Sequence, residues 1–211
     1  MPIVLKKDES DYSIGIWKSI ESFEELLNLE ALNQADLEKW KSFQSDKRKR
    51  EWLTVRVLLR KLFPDTVLPT IRYDEYGKPF LDNEKAISIS HTKEFVAILI
   101  TSKAYAGIDL EAIRERITSL SAKFTNEPEE KSLPKACLVE HLHVIWGAKE
   151  VLFKLYGRGE IDFRANLFVE PFLFAESGLI TASVLKNDIN KKHEITYELW
   201  DNKMLTYSVS D

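Results

Sequence analysis

Two long helical segments, each surrounded by short strand-like segments, constrain the fold of this chain more than any other feature. The first covers residues 33–63 as one or two helices and is closed by Pro64. Its apolar stripe recurs at helical spacing and consists of Trp52, Val55, Leu59 and Phe63. The second covers residues 136–156 and ends before Gly157, a residue type typical of the position after a helix.

Strand-like runs rich in β-branched and aromatic residues surround both helical segments. Those of the first half read IVLKK, YSIGIWKS, AISIS and FVAILITS, together with a hairpin that turns at Gly77. Those of the second half read YAGIDLE, NLFVEPFLF, GLITASVLK, HEITYELWD and KMLTYSVS. The pattern predicts an α+β fold with two similar α+β subdomains, residues 1–102 and 103–211.

The composition is that of an ordinary soluble globular protein, with 44% hydrophobic and 30% charged residues among 211. A net charge of -4 predicts no binding of nucleic acid or anionic membrane through overall charge. We see no secretory leader and no apolar run of about 20 residues, the length that spans a bilayer. The single cysteine, Cys137, excludes an intramolecular disulfide, so we expect a cytoplasmic protein.

The motif GIDLE places two acids, Asp109 and Glu111, within a strand-like run. Because side chains alternate along a strand, both acids share one face, while Ile108 and Leu110 occupy the other. Two carboxylates on one face favour a cation between them, and Mg²⁺ prefers such oxygen ligands. The alternative is a strand end that faces solvent.

The motif WGAKEVLFKLYG places Glu150 and Lys154 four residues apart, on one face of a helix. Glu150 is a candidate third carboxylate for the metal, and Lys154 a candidate cation for phosphate. A surface ion pair is the alternative.

The motif SISHT places Ser90 and His91 at a strand end. There His91 can donate to a phosphate or transfer a proton, and the alternative is a purely structural role.

Two further motifs contain candidate anion ligands. In YGKPF a turn at Gly77 precedes Lys78 and Pro79, which alternatively form an ordinary hairpin. In DKRKREWLTVR most cations fit a solvated helix face, but Arg56 falls at the edge of the apolar stripe. A cation held there requires an anionic partner.

The order of these motifs resembles that of the Sfp-type 4′-phosphopantetheinyl transferase superfamily, over residues 47–157. The resemblance implies transfer of phosphopantetheine from coenzyme A to a serine of an apo acyl- or peptidyl-carrier protein, with release of adenosine 3′,5′-bisphosphate. It implies two halves related by pseudo-twofold symmetry, with coenzyme A in the cleft between them. We expect a monomer.

The resemblance also implies roles for individual residues. Asp109, Glu111 and Glu150 match the acidic site for Mg²⁺, with Mn²⁺ as the alternative ion. Glu150 matches the base that takes the serine proton, and Lys154 the lysine at the pyrophosphate. Ser90 and His91 match ligands of a coenzyme A phosphate, and His91 is also a catalytic candidate. Gly77, Lys78 and Pro79 match the turn that holds the adenine end. Arg56 and Lys47 match ligands of the 3′-phosphate.

One departure from the pattern lies at Thr54 and Val55, where many relatives have a glycine before the arginine. Two other functions remain open. A non-catalytic protein that binds coenzyme A or a carrier would keep the fold without turnover. A Mg²⁺-dependent nucleotide hydrolase would cleave coenzyme A without a carrier.

Overall fold

Helices and strands alternate through both halves of the chain, in a computed structural model that describes residues 3–30, 32–63 and 67–211. The elements of the first half are β1 (Ile3–Asp8), β2 (Tyr12–Lys18), α1 (Phe23–Leu29), α2 (Gln34–Ser42), α3 (Asp46–Leu62), β3 (Ile71–Tyr73), β4 (Pro79–Leu81), β5 (Ala86–His91) and β6 (Phe95–Thr101). Those of the second half are β7 (Tyr105–Ala112), α4 (Ile117–Leu120), a 3₁₀ turn (Ser121–Lys123), α5 (Glu127–Ser132), α6 (Leu138–Tyr156), β8 (Leu167–Val169), β9 (Ser177–Lys186), β10 (Ile189–Trp200) and β11 (Lys203–Ser210). The predicted α+β class is confirmed.

The strands form two antiparallel sheets, and each sheet draws its strands from one half of the chain. The first sheet has the order β1-β2-β6-β5-β4-β3, and the second has the order β7-β11-β10-β9-β8. The last strand of the first sheet ends at Thr101, and the first strand of the second begins at Tyr105. The division into subdomains of residues 1–102 and 103–211 stays a prediction.

The two sheets pack face to face between two long helices. In β6, Val96 and Ile98 pack with α3, while Phe95 and Ala97 pack with residues of β7 and β11. Strand β6 is therefore buried on both faces. Helix α6 covers the other face of the second sheet. The order of layers is α3, first sheet, second sheet and α6, which places β5 and β7 at the junction of the halves.

Most predicted helix boundaries agree with the structure. The segment 33–63 forms two helices, α2 and α3, and the predicted stop at Pro64 lies outside the described residues. Gly157 follows α6 with φ +67°, and its amide donates to the carbonyl of Phe153. The predicted strand NLFVEPFLF is shorter than expected, because pairing with β9 includes only Leu167–Val169. Within the described ranges, no helix is long and apolar enough to cross a membrane.

Candidate active site at the junction of the sheets

Serine hydroxyls of β5 connect the first sheet to β7. The amide of Ile108 donates to Ser88 Oγ at 3.0 Å, and the amide of Leu110 donates to Ser90 Oγ at 3.2 Å. Strand β7 is an edge strand of the second sheet, so these hydroxyls pair amides that an edge would leave without a partner. The SISHT and GIDLE motifs are thereby brought into contact.

Asp109 is the buried acid at this junction, with 4% of its surface exposed. Its Oδ1 accepts from Ser90 Oγ and from Lys154 Nζ, each at 3.0 Å. Lys154 Nζ also donates to the carbonyl of Ile108 at 2.6 Å. Asp109 Oδ2 is buried and has no hydrogen-bond partner within the described part of the chain. Lys154 thus forms its ion pair across elements, with a residue of the GIDLE motif.

Gly107 allows β7 to lie close to α6. A Cβ atom at this position would lie 2.8 Å from Val151 Cγ1 and 2.9 Å from the Val151 carbonyl oxygen. Such distances are too short for any side chain, so only glycine fits without a shift of the helix. The close approach brings Glu150 and Lys154 of α6 to the acids of β7.

The three acids influence one another electrostatically. Burial, followed by the nearby charge of Asp109, raises the pKa of Glu150 to about 7 against the opposing effect of Lys154. Burial, followed by repulsion from Asp109 and Glu150, likewise raises the pKa of Glu111 to about 7. The cluster is therefore short of positive charge, even though Lys154 lies within it.

These acids fit a divalent cation by the chemistry of their donors. They offer hard carboxylate oxygens, one of which, Asp109 Oδ2, is buried and has no partner among the described residues. No three His, Cys, Asp or Glu side chains in residues 3–30, 32–63 and 67–211 are close enough to form a ready-made metal site. Lys154 instead supplies the positive charge at Asp109 Oδ1.

A cavity of about 210 Å³, the basic cavity, lies between α3 and the first sheet. Its lining residues are Arg48, Glu51, Trp52, Val55, Arg56, Tyr73, Pro79, Ile89 and His91. Partial loss of water in the cleft, followed by the charges of Lys154, Arg48 and Lys47, lowers the pKa of the partly exposed His91 to about 4. His91 is neutral at physiological pH, so it offers one N–H donor to an anion.

Arg56 lines the basic cavity but already has an anionic partner. Its guanidinium lies 3.2 Å from Asp36 Oδ1, and 3.1 Å from the ring centroid of Trp52. Lys47 is exposed, lies 3.6 Å from Glu51, and does not line the cavity.

Arg48 lines the basic cavity instead of Lys47, and the sequence did not single it out. Basic residues fill positions 47–50, so composition alone could not choose among them. Helical register excludes Lys47, which is nine residues before Arg56 and lies on the opposite face, but it places Lys49 closer to Arg56 than Arg48 and so does not select Arg48.

Pro79 lines the basic cavity, and the rest of the GKP turn, Gly77 and Lys78, borders a second cavity. Gly77 has φ +80°, and Asp74 Oδ1 accepts from the amide of Lys78. Lys78 Nζ donates to the carbonyl of Leu155 at 3.3 Å. A second cavity of about 220 Å³, the junction cavity, is lined by Gly77, Lys78, Pro79, Phe153, Lys154 and Gly157 among others. The predicted coenzyme A residues Gly77, Lys78, Pro79, Arg56 and His91 thus surround two adjoining cavities.

A larger cavity of about 610 Å³, the apolar cavity, begins at Glu111. Its apolar lining includes Ile117, Leu120, Phe124, Trp146, Ile161 and Phe163. Three cations, Arg114, Arg116 and Lys123, also border it. The sequence did not predict this cavity, because residues far apart in the chain form it.

Comparisons with known proteins point to one class of enzyme. The chain is 34% identical over 91 residues to the 4′-phosphopantetheinyl transferase gsp of Aneurinibacillus migulanus, covering 42% of this chain and 38% of that protein. It is 28% identical over 117 residues to the 4′-phosphopantetheinyl transferase AcpT of Escherichia coli strain K12, covering 52% and 59%. It is 31% identical over 122 residues to AcpT of Salmonella typhi, covering 52% and 60%.

No protein-family model matches the chain. The chain spans between 38% and 60% of the length of these curated relatives. All three relatives carry the same enzyme name. The comparisons therefore confirm that the chain resembles the 4′-phosphopantetheinyl transferase superfamily, as the order of its motifs predicts.

Proposed function

We propose that this chain transfers the 4′-phosphopantetheine group of coenzyme A to a serine hydroxyl of an acyl- or peptidyl-carrier protein. The observation that carries the proposal is the meeting of three separate motifs at Asp109, which contacts Ser90 of SISHT and Lys154 of α6. The shared name of the relatives supports the same reaction class.

Coenzyme A carries several phosphate charges and requires cations along its length. In our proposal Gly77, Lys78 and Pro79 hold the adenine end in the junction cavity. Arg56 and Arg48, with Lys47 as the more distant cation, hold the 3′-phosphate in the basic cavity. The pyrophosphate lies at Lys154, so its negative charge is close to the buried acids.

Asp109, Glu111 and Glu150 are the residues that would hold Mg²⁺, or alternatively Mn²⁺. When bound, the ion supplies positive charge that neutralises the pyrophosphate and the leaving phosphate. Glu150, directly or through one water, takes the proton of the carrier serine. The serine oxygen then bonds to the β-phosphorus while the bond to the bridging oxygen breaks.

The leaving group is adenosine 3′,5′-bisphosphate. Lys154, placed at the pyrophosphate, donates a proton to its departing oxygen, and His91 donates its N–H to a phosphate oxygen. The proton removed from the serine and the proton given to the leaving phosphate balance the reaction.

The proposed enzyme has two subdomains and a surface for the carrier protein. We assign residues 1–102 and 103–211 to two subdomains that close around coenzyme A, in a monomeric cytoplasmic enzyme. The apolar cavity and its basic border provide the surface next to Glu111 where a carrier presents its serine.

The test is incubation with coenzyme A, Mg²⁺ and a panel of apo-carrier proteins, followed by intact-protein mass spectrometry. We expect one or more carriers to gain roughly 340 Da, the mass of the transferred group. Binding of coenzyme A with no mass gain on any carrier would indicate a non-catalytic binding protein. Cleavage of coenzyme A without a carrier would indicate a hydrolase.

A further inference from the structure

Two buried serines of β5, Ser88 and Ser90, have similar surroundings but different partners. They are 3% and 5% exposed and lie two residues apart, so they share one face of the strand. Each accepts a hydrogen bond from an amide of β7. Only Ser90 also contacts a carboxylate, through its hydroxyl and Asp109 Oδ1 at 3.0 Å.

The hydroxyl of Ser90 has one proton, and Asp109 receives it. The amide of Leu110 donates to Ser90 Oγ, so the serine acts as acceptor in that bond and as donor toward the carboxylate. A phosphate oxygen also requires a donor. The Ser90 hydroxyl can therefore donate to a phosphate only by giving up Asp109, at the cost of a buried carboxylate that loses a partner.

We propose that the hydroxyl of Ser90 positions Asp109, rather than binding coenzyme A. Together with Lys154 it fixes Oδ1 and leaves the buried Oδ2 as the oxygen available to a divalent cation. This inference rests on the proposed function, because it assigns Ser90 to the metal site of that reaction. Hydrogen bonds that orient metal ligands commonly contribute 10–100-fold to metal affinity.

Direct binding of Mn²⁺ tests this role without any transfer reaction. Free Mn²⁺ is measured by electron paramagnetic resonance during titration of the protein with saturating coenzyme A, and coenzyme A alone is the blank. We expect Ser90→Ala to weaken Mn²⁺ binding about 10-fold or more. Ser88→Ala is the matched control, because it removes one bond to β7 and no bond to Asp109, and we expect less than about a twofold change.

The pair Ser90→Thr and Ser90→Val separates the hydroxyl from effects on packing. The two side chains have nearly the same shape, but only threonine retains the donor, so Ser90→Thr should bind Mn²⁺ about 10-fold more tightly than Ser90→Val. Equal affinity within this pair, or equal losses in Ser90→Ala and Ser88→Ala, would overturn the inference. Absence of Mn²⁺ binding by the wild-type protein would overturn the proposed metal site itself.

Discussion

Two lysines of α6, Lys149 and Lys154, each pair with a carboxylate from another element, yet their surroundings differ. Lys149 is fully buried and donates to Glu129 Oε2 at 2.8 Å, and to the carbonyls of Phe124 and Phe163 at 2.6 and 3.0 Å. All three protons of its ammonium group have acceptors. Lys154 keeps 22% of its side chain exposed and borders the junction cavity.

The carboxylate partners differ in the same way. Glu129 Oε2 also accepts from the amide of Asn126, and Oε1 accepts from the amide of Val169, so both oxygens are paired. In the part of the chain that the structure describes, Asp109 Oδ2 has no partner, and it lies beside two acids with raised pKa values. A closed ion pair serves the fold, whereas an open pair among like charges indicates a binding site.

Replacing the acid of the open pair should give the largest effect. We expect Asp109→Asn to slow transfer by at least about 10³-fold, equal to about 4 kcal/mol, because a neutral amide is a poor metal ligand. The rate of carrier mass gain at saturating Mg²⁺ measures the loss. Far-ultraviolet circular dichroism serves as the control for the fold. A rate within tenfold of wild type would contradict the metal assignment.

Replacing the lysine of the closed pair should affect stability first. Lys149→Met leaves Glu129 buried without its counter-charge, so we expect a loss of about 3 kcal/mol in the free energy of unfolding. Urea denaturation provides the measurement. The double variant Lys149→Met/Glu129→Gln should recover part of that loss, because it also removes the uncompensated charge. No recovery would show that packing alone explains the loss.

The raised carboxyl pKa values predict a pH effect from the two acids that lie beside the open pair. Between their ordinary value of 4.5 and about 7, Glu111 and Glu150 bind more protons in the folded than in the unfolded protein. Their contribution to the stability of the metal-free protein therefore falls as pH rises through this range. The lowered pKa of His91 acts in the opposite direction. The contribution of His91 to the stability of the folded protein rises as pH increases from about 4 to 6.5.

Glu150→Gln isolates the carboxyl contribution from that of His91. Relative to wild type, this variant should gain stability between pH 5 and pH 7, at no more than about 1.4 kcal/mol per pH unit for one proton. Urea denaturation at both pH values, with EDTA present, measures the difference. Parallel pH profiles of the two proteins would show that Glu150 titrates normally.

The smallest predicted effect concerns the basic cavity. Arg48 lines that cavity and Lys47 does not, so Arg48→Ala should weaken coenzyme A about 10-fold, or about 1.4 kcal/mol. Arg48→Ala should weaken the binding of dephospho-coenzyme A much less. Arg56→Ala should likewise weaken coenzyme A more than dephospho-coenzyme A. Lys47→Ala, at the more distant cation, should weaken coenzyme A less than Arg48→Ala does. Isothermal titration calorimetry measures all affinities, and equal losses for the two ligands would assign the arginines to structure alone.

Much of the fold could be predicted from the sequence because its signals are local. Helical spacing indicated α3 and α6, and Gly157 marked the end of α6. Strand alternation placed Asp109 and Glu111 on one face, with Ile108 and Leu110 packing between the sheets. The segment NLFVEPFLF was overestimated, because strand length depends on pairing with β9, which local sequence does not encode.

The partners of the candidate site residues could not be predicted in the same way. Asp36 as the partner of Arg56, and Ser90 as a partner of Asp109, are contacts across elements that no spacing rule provides. Lys149 illustrates the same limit. It is adjacent to Glu150 in sequence, yet α6 turns it to a different environment, where α5 supplies Glu129.

The most direct test of the account compares Asp109→Asn with Lys149→Met in one experiment. Transfer per folded molecule and the free energy of unfolding are measured for both variants with the same carrier, coenzyme A and Mg²⁺. We predict that Asp109→Asn stays folded and loses transfer, while Lys149→Met loses stability and keeps transfer per folded molecule. Loss of transfer and stability in equal proportion in both variants would contradict the division between an open catalytic pair and a closed structural pair.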